Sequence, residues 1–308
     1  MMGASVCRSA RCARLASLGR RMQHTLPAHE LARYREDGWI VPSVSLDKEE
    51  LEAARRSLGE VLARNPGVPP EQLVNAHLEG HEGQGMGVRG SRGILALASN
   101  PKLVDAAAAC LGTDDLILWG VQIFCKPAGS GKAVPWHQDG QYWPIEPLRA
   151  CTLWVALDES TPSNGGLHVI SGSHREGEIP HEAHRNDEAA ISVYLTDEAL
   201  GPARLARSHA VALQPGQVSI HDAMIVHGSK TNRSASRRAG VACHYMPAQS
   251  HFRRDLRTFA DREGGLNLDY SQRPLVVVKG ENRNSANTGL MPLDESLQAR
   301  EAAAGAVA

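Results

Sequence analysis

The sequence predicts a mainly β protein with flanking helices, a β-sandwich or barrel with helices packed outside it. Three observations carry that expectation. Helix-period apolar runs sit in the first third of the chain, up to Cys110. Short strand-like runs separated by Gly- and Pro-rich turns crowd the stretch from residue 116 to 246. The 308 residues are 42% hydrophobic and 22% charged, which suits a packed core rather than a disordered chain.

The elements follow in order. Residues 30–36 and 48–64 read as helices, the second carrying Leu51, Leu58, Val61 and Leu62 near helical spacing. The run Asn65-Pro66-Gly67-Val68-Pro69-Pro70 ends it. The Gly-rich stretch 78–93 reads as a loop. Residues 100–110 read as a helix, with Asn100 as N-cap, Pro101 at the first position and Gly112 just past the end. Strands are expected at 116–125, 151–157, 166–170, 210–213, 218–220 and 240–246, with turns at 127–131, 161–165 and 214–216 between them. No linker splits off a second domain. The expected organisation is an Arg-rich leader over 1–29, one domain over 30–280, and a polar, mobile tail over 281–308.

Composition excludes some classes. The net charge of −1 lacks the basic excess of a nucleic-acid binder. No apolar run approaches the ~18 residues that cross a bilayer. Six cysteines form no C-x-x-C pair and no disulfide framework, which suits free thiols in a reducing compartment. The expected location is therefore cytoplasmic. The leader has five arginines and no acid before Glu30, so a mitochondrial transit peptide is the alternative, and a start at Met22 another. Asn232-Arg233-Ser234 matches a glycosylation sequon by chance. The oligomeric state is not legible.

The chemistry centres on Trp136-His137-Gln138-Asp139-Gly140. On an extended strand, positions i and i+2 face the same way, so His137 and Asp139 point together into a barrel mouth. A further histidine would complete a facial triad of two imidazoles and a carboxylate, the set associated with non-haem iron(II). His227, after a Pro-Gly turn and a strand, is the best third ligand. Arg238, entering the next strand, suits a bidentate grip on a keto acid's distal carboxylate.

Several stretches resemble the phytanoyl-CoA dioxygenase family: Lys126 to Gly131, Pro135 to Pro144, Asn164 to His174, and His227 to Ser234. The resemblance runs from about Leu31 to Pro247. It implies a double-stranded β-helix (jelly-roll, cupin-like) fold. It also implies iron(II), with 2-oxoglutarate and O2 as cosubstrates, hydroxylation of a small molecule, and release of succinate and CO2. Carried over residue by residue, the metal ligands fall on His137, Asp139 and His227. The cosubstrate residues fall on Arg238 and Ser229, with Gln122 and Trp154 lining the same pocket. Tyr142 and Trp143 are candidate substrate contacts. An acyl-CoA is one candidate substrate, and Arg175, Arg185, Arg204 and Arg207 are candidate partners of its phosphates. The carboxylate of Asp139 favours hydroxylation over halogenation. A jelly-roll binding protein without turnover, and a zinc hydrolase or isomerase with the same ligands, are the alternatives.

Other histidines read as bland. His221 and Asp222 read as surface groups, with support of the nearby metal ligand as the alternative, His168, His174 and His244 as structural, and His181-Glu182-Ala183-His184 as a solvated loop. Segments 66–95 and 175–208 are the expected lid.

Overall fold

The computed structural model describes residues 26–79, 87–183, 189–255, 270–291 and 293. Residues 1–25 of the expected leader, part of the Gly-rich loop, His184 and Arg185 of the expected lid, and most of the stretch beyond 291 lie outside the described residues.

Capping chemistry sets the helices. Asp47 accepts from the backbone N–H of Glu50 while the Glu50 carboxylate accepts from that of Asp47, a reciprocal cap that starts the Lys48–Arg64 helix where the apolar period begins. The Pro101–Leu111 helix starts on the Asn100 side chain and stops at Gly112, whose φ of 63° is the left-handed turn that glycine adopts without cost. The Ala28–Asp37 helix is slightly longer than expected. Two helices were not anticipated, Arg92–Ala98 and Asp197–Leu205. The first begins inside the stretch read as loop, because Ser91 caps it and Ile94, Leu95 and Leu97 are buried.

Two mainly antiparallel sheets face each other as a jelly roll. The larger runs Trp39–Ile40, Val218–Asp222, Cys151–Ala156, Arg238–Pro247, Leu116–Lys126, Leu275–Lys279 and Leu290–Met291, with Leu73–Val74 added beside Leu116–Lys126. The smaller runs Ser208–Ala210, Leu167–Ile170, His227–Ser229 and Val134–His137. The strand expected at 210–213 lies earlier, at Ser208–Ala210, because it is residues 208–210 that register with Leu167–Ile170.

Period-two alternation divides the larger sheet into a helix-facing and a cavity-facing surface. Val121, Ile123 and Cys125, Leu153 and Val155, and Val241, Cys243 and Tyr245 join the helices in one apolar cluster. Each fully buried Leu, Ile or Val there contributes about 1.5–3 kcal/mol over its exposed state. The Tyr245 hydroxyl donates to Ala98 O at 2.7 Å, tying helix to sheet. The opposite face presents Gln122 and Phe124, Thr152 and Trp154, His221, and Arg238, Ala242 and His244 to the cavity. The ladder slips between His244 and Tyr245, where Leu118 and Gly120 are the paired residues and Trp119 is extra. That bulge puts the Trp119 indole on the cavity wall.

Residues 281–291 of the stretch read as tail are built into the fold. Leu290–Met291 pairs parallel with Leu275–Lys279, and buried Asn287 bonds Phe252 N–H and Ser250 O. Among the described residues, no single helix is long and apolar enough to cross a membrane.

Candidate metal centre

His137 ends the Val134–His137 strand, Gln138 continues extended, and Asp139 opens a 3-10 turn over Asp139–Gln141. The H-x-D stretch is therefore extended only as far as Gln138, which suffices to turn both side chains the same way. His227 begins rather than ends its strand, and the ladder places it opposite His137. His137 Nε2 lies 3.3 Å from Asp139 Oδ1 and His227 Nε2 3.9 Å from the same oxygen. All three residues are buried.

The donor set fits a metal ion. Each imidazole meets the carbonyl two residues before it through Nδ1, His137 with Pro135 O at 2.8 Å and His227 with Ile225 O at 3.1 Å. A carbonyl only accepts, so Nδ1 carries the proton and Nε2 keeps a free lone pair facing Asp139. One ligand atom from each residue lies within 4.8 Å of the others. Neighbouring ligands on metal bonds of about 2.1 Å stand roughly 3 Å apart at right angles, so small adjustments suffice.

Electrostatics keeps the ligands in the forms a cation needs. Burial raises the pKa of Asp139, but the adjacent His227 and His137 outweigh it and hold the carboxyl well below its usual range. Burial, with His137 beside it, holds His227 well below the usual histidine value. Asp139 is further fixed by Tyr142, whose hydroxyl donates to Oδ1 at 2.9 Å, and by Thr152, whose hydroxyl donates to Oδ2 at 3.1 Å.

The nine residues singled out from the sequence all line one cavity of about 490 Å³. Arg238 is 3% exposed, donates to Gly165 O at 2.7 Å and lies over the Trp154 ring at 5.4 Å. Its Nε has no partner. Tyr142 is first of all a partner of Asp139, and Trp143 meets Trp119 edge-on at 4.7 Å. Parts of both expected lid segments, including Val74, Val88, Ile191 and Val193, reach the cavity.

Three residues differ from their sequence reading, and a fourth had none. His221 is no surface group: it is 2% exposed, lines the cavity, and has its ring 4.6 Å from that of His227. His181 is buried rather than solvated, and its Nε2 accepts from the Gln138 N–H at 2.8 Å. Asp222 is partly buried and accepts from Met224 N–H at 2.8 Å, bracing the turn before His227. Lys126 was missed. It is fully buried, pairs with Arg238 across the ladder, and donates to Ser229 Oγ at 2.7 Å and to Lys230 O. Burial, and then Arg238, push its pKa down to about 6. Nothing in the sequence separates it from a solvated lysine at a strand end. The sequon is indeed fortuitous, since Asn232 is fully buried and its amide serves the carbonyls of Pro127 and Ser236.

The fold and site define a jelly-roll protein with a facial set of two histidines and one carboxylate, a donor set suited to ferrous iron. Comparison with known proteins gives the family. Residues 34–240 match the phytanoyl-CoA dioxygenase family, and the chain belongs to it. It is 28% identical to the ectoine dioxygenase of Sphingopyxis alaskensis over 233 residues, 71% of this chain and 76% of that one. It is 30% identical to a probable phytanoyl-CoA dioxygenase of Caenorhabditis elegans over 153 residues, 47% of this chain, and spans about half (48%) of that protein. The crystal structure of EctD from S. alaskensis with bound Fe superposes with a TM-score of 0.57 at 26% identity, covering 74% of this chain and 79% of that one.

Proposed function

We infer that this chain is an iron(II)- and 2-oxoglutarate-dependent oxygenase that hydroxylates an unactivated C–H bond of a small metabolite. One observation supports it above the rest. The cavity that holds the His137, Asp139 and His227 donor set is lined by a buried guanidinium, Arg238, that forms no ion pair with a carboxylate among the described residues, and buried Lys126 stands beside it on the neighbouring strand. A buried cation of that kind calls for an anion from outside.

Iron, dioxygen and the keto acid together supply the oxidising power: the substrate C–H gains an oxygen atom, and the keto acid leaves as succinate and CO2. The chain's own residues prepare for this. His137, Asp139 and His227 would hold the metal. Arg238 meets the distal carboxylate of the keto acid, with Lys126 beside it and Ser229 completing the contact through its hydroxyl. Trp154 forms the wall against which the Arg238 guanidinium lies, and Gln122 adds an amide to that wall. Thr152 and Tyr142, each donating to one oxygen of Asp139, would hold that carboxylate in place.

The substrate side favours a small molecule over a CoA thioester. Arg204 and Arg207, candidate phosphate contacts, both engage Glu176 instead. Succinate release in the presence of oxygen tests the reading, with Arg238→Ala as control. The variant is expected to keep iron and to need much more 2-oxoglutarate. Turnover that proceeds without oxygen, or an unchanged keto-acid requirement in the variant, contradicts it.

A further inference from the structure

A second guanidinium shares the cavity, and the family match does not reach it, because Arg273 lies beyond the matched span of residues 34–240. Arg273 is 6% exposed. It donates to Asn75 Oδ1 at 2.7 Å, and its guanidinium lies 5.2 Å from the Tyr270 ring and 6.0 Å from that of Trp119. Among the described residues no carboxylate pairs with it. The groups that bear on its charge are Tyr270 and Arg254, neither an anion at neutral pH. Aromatic faces offset part of the cost of burying such a charge, and an anion offsets the remainder.

Space for that anion is built in. Gly120, His244 and Arg273 all line the cavity, and the missing side chain at Gly120, whose Cβ would stand 3.5 Å from an Arg273 nitrogen and 3.3 Å from the His244 ring, leaves that wall uncrowded. The two guanidinium groups serve different sides of the metal site. Arg238 pairs across the ladder with Lys126, which bonds Ser229 two residues beyond His227. Arg273 adjoins His244, whose Nδ1 meets Thr152 Oγ1 at 3.0 Å, and that hydroxyl in turn bonds Asp139. Arg238 and His244 are six residues apart on one strand, roughly 20 Å between Cα atoms. One keto acid bound to the metal and to Arg238 therefore leaves Arg273 without an anion among the described residues.

We propose that Arg273 anchors a carboxylate of the molecule to be hydroxylated, so that the substrate is a small acid whose apolar body lies among Trp119, Trp143 and Tyr270. A carboxylate fits better than a phosphate because Arg254, the other guanidinium that bears on Arg273, is engaged with the carbonyls of Tyr270, Ser271 and Thr288. The proposal rests on the oxygenase reading above, and its test keeps the two apart.

The iron(II)- and 2-oxoglutarate-loaded enzyme, kept anaerobic, is titrated by calorimetry with benzoate, phenylacetate, cyclohexanecarboxylate and L-proline, each beside its carboxamide, and with phenyl phosphate. At least one acid is expected to bind about tenfold more tightly than its amide, and Arg273→Gln to bring the pair within about twofold. Asn75→Asp keeps the arginine but sets a carboxylate against it, and is expected to abolish the preference as well. The visible band of the iron–keto acid complex reports whether each variant keeps its site. Should one variant lose it, the other decides; should both, the wild-type acid–amide comparison decides alone. No acid preference in the wild type up to about 20 mM, a preference that survives both substitutions, or phenyl phosphate binding more tightly than every acid overturns the proposal. Absence of the band in the wild type instead overturns the oxygenase reading.

Discussion

His137 and His227 are direct cross-strand partners in the smaller sheet, with ring centroids 4.2 Å apart. One ladder thus brings together two ligands far apart in sequence. A one-residue slip would turn His227 to the opposite face, so the turn before that strand has to be fixed as firmly as the H-x-D stretch itself.

Gln138 does that fixing. It is fully buried, donates to Gly177 O at 3.0 Å and Met224 O at 2.7 Å, and accepts from Ile179 N–H at 2.9 Å. Gln138→Leu fills similar volume but leaves those three groups unpartnered. It is expected to cost about 2–4 kcal/mol of stability. Iron(II) affinity should fall by about ten- to a hundredfold. Denaturant unfolding and iron titration check both, and wild-type values in both would show that the ligand loop is held by other contacts.

Lys126 gives a proton signature for the keto acid. Its folded pKa is about 6, below the ordinary lysine value, so folding releases a proton between pH 6 and about 10 and stability rises with pH across that window. A carboxylate arriving beside it restores the charge. At pH 8, 2-oxoglutarate binding is therefore expected to take up about one proton in the wild type and none in Lys126→Met. Calorimetry in buffers of different ionisation enthalpy measures it; a buffer-independent heat in the wild type counts against the placement of Lys126 at the cosubstrate.

Gly240 sits against Trp154: a Cβ there would lie 1.9 Å from the indole. Gly240→Ala must displace the ring that lies under Arg238. Overpacking of this kind costs about 1–3 kcal/mol. The 2-oxoglutarate requirement should rise while iron content holds. A variant with wild-type melting and wild-type requirement would show that the indole moves freely.

Three histidines, His181 and His221 buried and His244 half-buried, make the metal-free protein acid-labile. Burial lowers the pKa of His181, His221 and His244 to about 4 each. The unfolded chain binds protons near 6.5, so between pH 6.5 and 4 it holds more protons than the folded one, and stability falls as pH falls. The loss is roughly 3 kcal/mol at most for each group. Urea midpoints at pH 7 and pH 5 should differ clearly, and equal midpoints would contradict the burial of these rings.

The parts of the fold that local chemistry controls were legible. Asp47 and Asn100 marked helix starts, and alternation marked the long strands. The metal triad was legible because H-x-D is local and the family's motifs agree in order. What stayed hidden depends on tertiary burial. Lys126 and a solvated lysine look alike in sequence until a sheet closes over one of them. Trp119 reaches the cavity through a bulge that no residue type announces, and Asn287, in a stretch that reads as tail, is fixed by partners more than thirty residues earlier.

Anaerobic titration of the purified chain with iron(II) and then 2-oxoglutarate tests the central claim most directly. One iron per chain is expected, with a weak visible charge-transfer band that grows as the keto acid is added. His137→Ala, Asp139→Ala and His227→Ala should each lose iron and band together. Wild-type protein that shows no band, or alanine variants that keep wild-type iron content, would contradict the account.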